Sequence, residues 1–279
     1  MTFLLTAVAL VAFASNSILC RMALGAREID AASFTLVRIA SGAFTLLLIH
    51  AAIRRGAAAS ERRMRWVPAA FLFAYAAPFS FAYLQLSAGT GALILFACVQ
   101  ATMLIGALRA GERFRWLEGV GLLIALGGLT YLVSPGLSAP SPLGSALMAI
   151  AGIAWGLYSL RGRGSADPLG DTTRNFVLAV PLAVLLSLAT IRGIHVSPRG
   201  LALAAASGAL ASGLGYTIWF AALRGLTAIR ASVVQLLVPV LAAAGGILFL
   251  AETLSLRLVV SAVLILGGVA FAIATKRST

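Results

Sequence analysis

The sequence repeats itself at a spacing of 140 residues, and this repeat limits the possible folds more than any other feature. The two copies align without a gap. Identical residues in this alignment are Leu86, Ala88, Gly106, Leu108, Glu112, Val120, Leu126, Gly127 and Gly128, which correspond to Leu226, Ala228, Gly246, Leu248, Glu252, Val260, Leu266, Gly267 and Gly268. A fixed internal spacing indicates a duplicated unit. We therefore predict two related halves, 1–137 and 138–279, with the functional site between them.

The chain is too apolar for a water-soluble domain. Hydrophobic residues make up 61% of the 279 residues, charged residues 10%, and the mean hydropathy is +1.03. Apolar runs of about 20 residues recur, which is the length of a helix that crosses a bilayer, and alternating strand patterns are absent. An all-α bundle in a lipid bilayer is predicted. Its ten spans are 2–22, 32–53, 66–86, 89–109, 116–134, 142–161, 173–191, 200–223, 231–250 and 257–275.

The net charge of +13 follows the connections between spans, so we interpret it as membrane topology and expect no nucleic-acid partner. A cytoplasmic N-terminus places on the cytoplasmic side Arg54, Arg55, Arg62, Arg63, Arg65, Arg109, Arg113, Arg115, Arg161, Arg163, Arg174, Arg224, Arg230, Lys276 and Arg277. The other side then carries only Arg21, Arg27, Arg192, Arg199 and Arg257. Both termini are therefore predicted to be cytoplasmic.

An odd number of spans in each half has a consequence for symmetry. With five spans per half, the second copy enters the membrane upside down, so the halves form an inverted-topology repeat. Glu112 then lies at the inner surface and Glu252 at the outer surface.

Several short motifs at matched spacing support a family resemblance. They are Pro239-Val240, Gly245-Gly246, Ala251-Glu252 and Gly267-Gly268 in the second half, Gly111-Glu112 and Gly127-Gly128 in the first, Arg38 in span two, and Ala154-Trp155-Gly156 in span six. With them the whole chain resembles the EamA-type members of the drug/metabolite transporter superfamily, which have ten helices in a five-plus-five inverted repeat. Overall likeness extends to the YddG-type branch, bacterial inner-membrane exporters of aromatic amino acids and related metabolites.

The halves also differ, so they are not interchangeable. Ser15-Asn16 stands in the first half where Trp155-Gly156 stands in the second, and Val99 stands where the second half has Pro239. The binding site therefore need not follow the pseudo-symmetry.

The sequence does not predict catalytic activity. All eight acidic residues fall in connections or at span ends, and no carboxylate pair, activated nucleophile or metal-ligand cluster is visible in the sequence. We predict a protein that is not an enzyme and needs no metal or cofactor. The absence of an Asp, Glu or His at mid-depth predicts facilitative transport, while coupling through Glu112 or Glu252 stays open.

Aromatic and amide side chains mark the predicted substrate site. Tyr75, Phe79 and Tyr83 share one face of span three, and similar groups occur on spans six and eight. Lipid packing, aromatic belts and helix-to-helix hydrogen bonds are the alternatives, and Trp66 and Trp116 fit a belt. The candidate substrate-binding residues are Asn16, Tyr75, Phe79, Tyr83, Gln100, Trp155, Tyr158, Tyr216, Trp219 and Gln235.

Other residues are candidates for motion or bracing. Pro78, Gly106, Pro239 and Gly246 are predicted hinge or gating positions. Arg38, Glu112 and Glu252 are predicted to be structural or gating. For Arg38 three alternatives stay open: a stem that reaches the membrane surface, a fixed polar contact, or a bond to a substrate carboxylate.

Together these observations predict a secondary transporter that exports small amphiphilic metabolites by alternating access. Its central cavity is expected between spans one, three, four, six, eight and nine. The resemblance implies aromatic amino acids as substrates and the bacterial inner membrane as location. Export of other metabolites or drugs by the same superfamily is the alternative, and a non-transporting membrane scaffold is a weaker one.

Overall fold

The computed structural model describes residues 2–53, 66–109, 116–134, 136, 139–162, 165–223, 226 and 234–275. The regular elements in these ranges are all helical. They are α1 (Thr2–Gly25), α2 (Ala31–Ile53), α3 (Trp66–Ala82), α4 (Ala88–Arg109), α5 (Trp116–Val133), α6 (Pro142–Gly162), α7 (Pro168–Ala189), a 3₁₀ turn (Ile191–Gly193), α8 (Pro198–Ala206), a π-helix (Ser207–Leu214), α9 (Gly215–Leu223), α10 (Leu237–Leu250) and α11 (Leu256–Thr275).

These helices form ten spans in the described part of the chain, because α8, the π-helix and α9 run on as one. Five spans are long and apolar enough to cross a membrane, and five shorter apolar helices complete the bundle. The prediction of an all-α, ten-span membrane protein is confirmed. The connections after α1, α3, α5, α7 and α10 lie on one side of the bundle, which we name the hairpin side.

Three predicted boundaries differ from the structure by more than three residues. Span seven was expected from residue 173, but α7 begins at Pro168. Span three was expected to reach residue 86, but α3 ends at Ala82 and a turn follows. Span nine was expected from residue 231, but α10 begins at Leu237, and residues 231–233 lie outside the described ranges. Pro239 therefore stands in the first turn of α10, where a proline interrupts no helical hydrogen bond.

Packing between the halves follows a two-fold pattern. Equivalent helices pack on each other, with α5 against α11, α2 against α7 and α4 against α10. The contacts of α6 with α3 and α4 are matched by contacts of α1 with span eight and α10. Exchanging the halves thus leaves the pattern unchanged, as an inverted five-plus-five repeat requires.

Glycines allow the close approach of α5 and α11. A Cβ on Gly268 would lie 2.5 Å from the carbonyl oxygen of Gly121, and a Cβ on Gly121 would lie 2.5 Å from the carbonyl oxygen of Gly268. Both contacts are with backbone, which cannot rotate away. The two helices therefore fit together only because these positions have no side chain.

Replacing Gly268 by Ala is expected to destabilise the protein by about 1–3 kcal/mol, because the helices must move apart. The adjacent Gly267 is the matched control, since a Cβ there meets nothing within 4 Å. Thermal unfolding in detergent should show a lower melting temperature for Gly268→Ala and no decrease for Gly267→Ala. Equal melting temperatures for the two variants would contradict the close packing.

Candidate substrate-binding site

A column of aromatic rings runs along the centre of the bundle from α3 to α6. The ring centroids of Tyr83 and Phe79 lie 4.8 Å apart, and those of Phe79 and Tyr75 lie 5.4 Å apart. The column continues from Tyr75 to Trp155 at 4.9 Å and from Trp155 to Tyr158 at 5.4 Å. Four-residue spacing aligns the α3 rings on one helix face. We name these five residues the ring column.

Further rings, from both halves of the chain, lie beside Trp155 and Tyr216. Tyr216 on α9 stacks on Trp155 with centroids 5.3 Å apart and an interplanar angle of 18°. Phe13 on α1 lies 5.7 Å from both Tyr216 and Trp219, and Phe176 on α7 lies 5.9 Å from Tyr216. Trp155 is thus packed between a tyrosine of the first half and a tyrosine of the second.

Two of these rings, Phe13 and Phe176, were not among the predicted site residues. A single Phe in an apolar span has no mark that separates a site ring from a packing residue. For Phe13 the only signal was its position three residues before Asn16, on the same helix face. No comparable signal existed for Phe176.

Burial of the ring column decreases from one end to the other. Tyr83, Phe79 and Tyr75 are 0%, 1% and 6% exposed. Trp155 and Tyr158 are half-buried. The column is therefore sealed at the hairpin side and more accessible towards the opposite side.

Arg38 lies against the sealed part of the column with its side chain enclosed. Its Nη2 donates a hydrogen bond to the Tyr75 hydroxyl at 2.8 Å, and its guanidinium carbon lies 4.7 Å from the Phe79 ring centroid and 5.1 Å from that of Tyr75. The residue is 2% exposed, so its stem does not reach the membrane surface. Its Nη1 is buried and makes no hydrogen bond with the residues that the structure describes.

Asn16 faces the π-helix, a feature that the sequence did not predict. Its Oδ1 accepts hydrogen bonds from Ser207 at 2.8 Å and Ser212 at 3.4 Å. Five-residue turns often occur at functional sites. The amide is thus held between the halves. The other candidate amides, Gln100 and Gln235, are half-buried on α4 and just before α10.

Glu252 joins three segments at the hairpin side. Both of its carboxylate oxygens accept the Ala88 backbone N–H at 3.0 Å, at the start of α4. Arg21 of α1 lies 3.5 Å from the same carboxylate and donates a hydrogen bond to the Tyr83 carbonyl at 3.0 Å. A carboxylate at a helix N-terminus is stabilised by the exposed N–H groups. We name Arg21, Tyr83, Ala88 and Glu252 the latch.

Gly246 makes room for this carboxylate. A Cβ at Gly246 would collide with Oε2 of Glu252, so a larger residue there would shift the carboxylate from its position over α10. The turn that brings Glu252 back includes Ala251 at a φ of 52°, and the Glu252 N–H donates to the Gly246 carbonyl at 3.1 Å.

The remaining hinge and gating candidates occupy different environments. Pro78 lies inside α3, between the column residues Tyr75 and Phe79. A Cβ on Gly106 would meet the Leu160 side chain of α6, so this glycine allows helix packing. Glu112 lies outside the described residues.

Further contacts join two connections beside the latch on the hairpin side. Ile29 and Val196 form an isolated antiparallel bridge, and the Ser197 N–H donates to the Glu28 carbonyl at 2.7 Å. The Glu28 carboxylate accepts a hydrogen bond from the Ser197 hydroxyl at 2.6 Å. The connection after α1 is thus tied to the start of α8.

Comparisons with known proteins give the class of this bundle. An uncharacterized transporter of Archaeoglobus fulgidus is 27% identical over 188 residues, 66% of this chain and 67% of that protein. An uncharacterized protein of Pseudomonas aeruginosa is 51% identical over 99% of this chain and 95% of its own length. A crystal structure of a protein 22% identical has the same fold, with a TM-score of 0.66 and 97% of both chains covered.

These similarities define a multi-pass membrane transporter of small molecules rather than an enzyme. Residues 142–274 match the EamA-like transporter family. The second half of the chain is thus an EamA-like transporter domain.

Proposed function

We propose that this protein is a secondary transporter that exports small amphiphilic metabolites, aromatic amino acids among them, through the centre of the bundle. The observation that carries the proposal is the ring column, to which Tyr75 and Trp155 contribute and which Tyr216 extends. Stacked and edge-on rings offer flat apolar partners to an aromatic solute. The resemblance to YddG-type exporters points to the same substrate class.

Alternating access between the two halves, 1–137 and 138–279, forms part of this proposal. The latch pair Arg21 and Glu252 has a copy in the sequence 140 residues away, as Arg161 and Glu112. In an inverted repeat the copy belongs to the opposite side of the membrane. One Arg–Glu pair at each side supports a mechanism in which the two sides open in turn. Glu112 is assigned to its pair by its sequence position alone.

Counterflow in proteoliposomes tests the proposal. Labelled phenylalanine or tryptophan should exchange into vesicles that contain the protein and unlabelled substrate, and protein-free vesicles should show no exchange. Parallel assays with aliphatic amino acids and aromatic amines separate this substrate class from other metabolites. Absence of flux for every aromatic amino acid would refute the proposed substrate class, although the fold would stand.

Facilitative transport is the energetic part of the proposal. The carboxylates of the described residues lie in connections or at helix ends, away from the middle of the bundle. Collapsing the proton gradient with an ionophore should therefore leave substrate exchange unchanged. An accumulation ratio that follows the imposed pH gradient would instead reveal a titrating group on the transport path.

The proposed orientation places the hairpin side outside the cytoplasm and the protein in the bacterial inner membrane. Fifteen Lys and Arg residues belong by sequence to the opposite side or the termini, against five on the hairpin side. Reporter fusions at the C-terminus and in the 54–65 connection should be active in the cytoplasm. A periplasmic C-terminus would contradict this orientation.

A further inference from the structure

We infer that Arg38 anchors the anionic group of the transported solute, so that the site selects an aromatic or planar apolar molecule that carries a carboxylate. The inference rests on the proposed function, because it takes the ring column as the place where the solute binds. It names the charge that the solute must carry, which the rings alone do not specify.

The first argument is the unfilled hydrogen-bonding capacity of Arg38. Nη2 bonds to Tyr75, and the guanidinium faces the rings of Tyr75 and Phe79, but Nη1 is buried without an acceptor. A buried donor without a partner is unfavourable, and a buried cation without a counter-charge more so. A carboxylate on the solute would supply both the acceptor and the counter-charge.

The second argument is that the carboxylates of the described side chains contact groups other than Arg38. Glu252 contacts Arg21 and Ala88, and Glu28 contacts Ser197 and Arg199. Asp30 accepts hydrogen bonds from the backbone N–H groups of Ser33 and His195. Asp167 accepts one from the Gly170 N–H, and Asp171 pairs with Arg174. Within the described side chains, none of the carboxylates pairs with Arg38.

The third argument is the position of the charge relative to the rings. Tyr75 contacts Arg38 through its hydroxyl and Trp155 through its ring. A solute ring near Trp155 would therefore have the guanidinium within reach of a short side chain. A guanidinium is also planar and binds carboxylates through paired hydrogen bonds.

This arrangement predicts that the anionic group is recognised and that an ammonium group is not required. Ring-matched solutes test the distinction: 3-phenylpropionate, phenylalanine, 3-phenylpropionamide and phenethylamine. The thermal shift of the purified full-length protein measures binding directly, whether or not the solute is transported. The two carboxylates are expected to bind at least about tenfold more tightly than the amide or the amine, a difference of about 1.4 kcal/mol.

Substitutions at Arg38 assign this preference to one residue. Arg38→Gln should remove it, so that carboxylate and amide bind equally, and Arg38→Lys should keep part of it because the charge remains. The ligand-free Arg38→Gln variant should melt no lower than the wild type, since an uncompensated buried charge has been removed. The matched control is Arg192→Gln, which removes an exposed arginine of the 3₁₀ turn after α7. It should keep the full preference.

Each outcome decides between the two proposals. Equal binding of carboxylate and amide to the wild type, or an unchanged preference in Arg38→Gln, would overturn the anchor and leave transport of aromatic solutes untouched. A carboxylate preference that Arg38→Gln removes, without flux in vesicles, would support the anchor and refute the transport proposal. If no ring-bearing solute binds, both are wrong.

Discussion

Replacing Trp155 by Ala is expected to weaken the apparent affinity for aromatic substrates about tenfold, the factor that corresponds to 1.4 kcal/mol. The indole contacts the rings of Tyr75, Tyr158 and Tyr216. Each aromatic pair contributes about 0.5–1.5 kcal/mol beyond the burial of area. Loss of the indole also removes the ring that links Tyr75 to Tyr216, so concentration-dependent counterflow should show a higher half-saturating concentration.

Trp116 supplies the control for this experiment. It begins α5 and is 74% exposed, so Trp116→Ala should leave the apparent affinity unchanged. Tyr75→Ala should resemble Trp155→Ala. All variants are compared at equal amounts of folded protein in the membrane. Normal transport by Trp155→Ala together with failure of Trp116→Ala would show that the rings contact lipid rather than substrate.

Replacing Glu252 by Gln is expected to open the hairpin side. The change weakens the contact with Arg21 and with the start of α4, and hydrogen bonds to charged groups contribute about 1.5–3 kcal/mol. Cys20, one residue from Arg21 and 0% exposed, reports the opening. In a Cys98→Ser background, a membrane-impermeant maleimide added at the hairpin side should label Cys20 at least about tenfold faster in Glu252→Gln.

Glu28→Gln tests whether any lost carboxylate on this side has the same effect. Glu28 contacts Ser197 and Arg199 and takes no part in the latch. Its replacement should leave the labelling rate of Cys20 near that of the wild type. Rapid labelling of the wild type, or equal rates for the two variants, would show that the latch does not control access.

Periodicity in the sequence predicted the framework of the site. Hydrophobic run lengths give ten spans, and the four-residue spacing of Tyr75 and Phe79 puts their rings on one face. These features depend on local geometry, which a helix fixes through its own repeat. The inverted arrangement follows from the same span count, because each half has an odd number of spans.

Long-range contacts could not be predicted in this way. The partner of Glu252 is a backbone N–H 164 residues earlier, and no composition signal marks it. A π-helix differs from an α-helix in hydrogen bonding rather than in residue type, so Ser207–Leu214 was missed. The enclosure of Arg38 was one of three open alternatives, because its depth in the span also fits a stem that reaches the surface.

The packing pattern of the bundle also determines how the chain matures. The strongest helix contacts join one half to the other, as α5 with α11 and α3 with α6, whereas α4 and α5 touch only slightly within the first half. The first five spans therefore lack a core of their own during synthesis and acquire one only when the second five are inserted. We therefore expect that the segment that matches the family, residues 142–274, does not fold by itself. A gene for either half alone should yield protein that membrane proteases remove, while co-expression of both halves should restore a stable bundle.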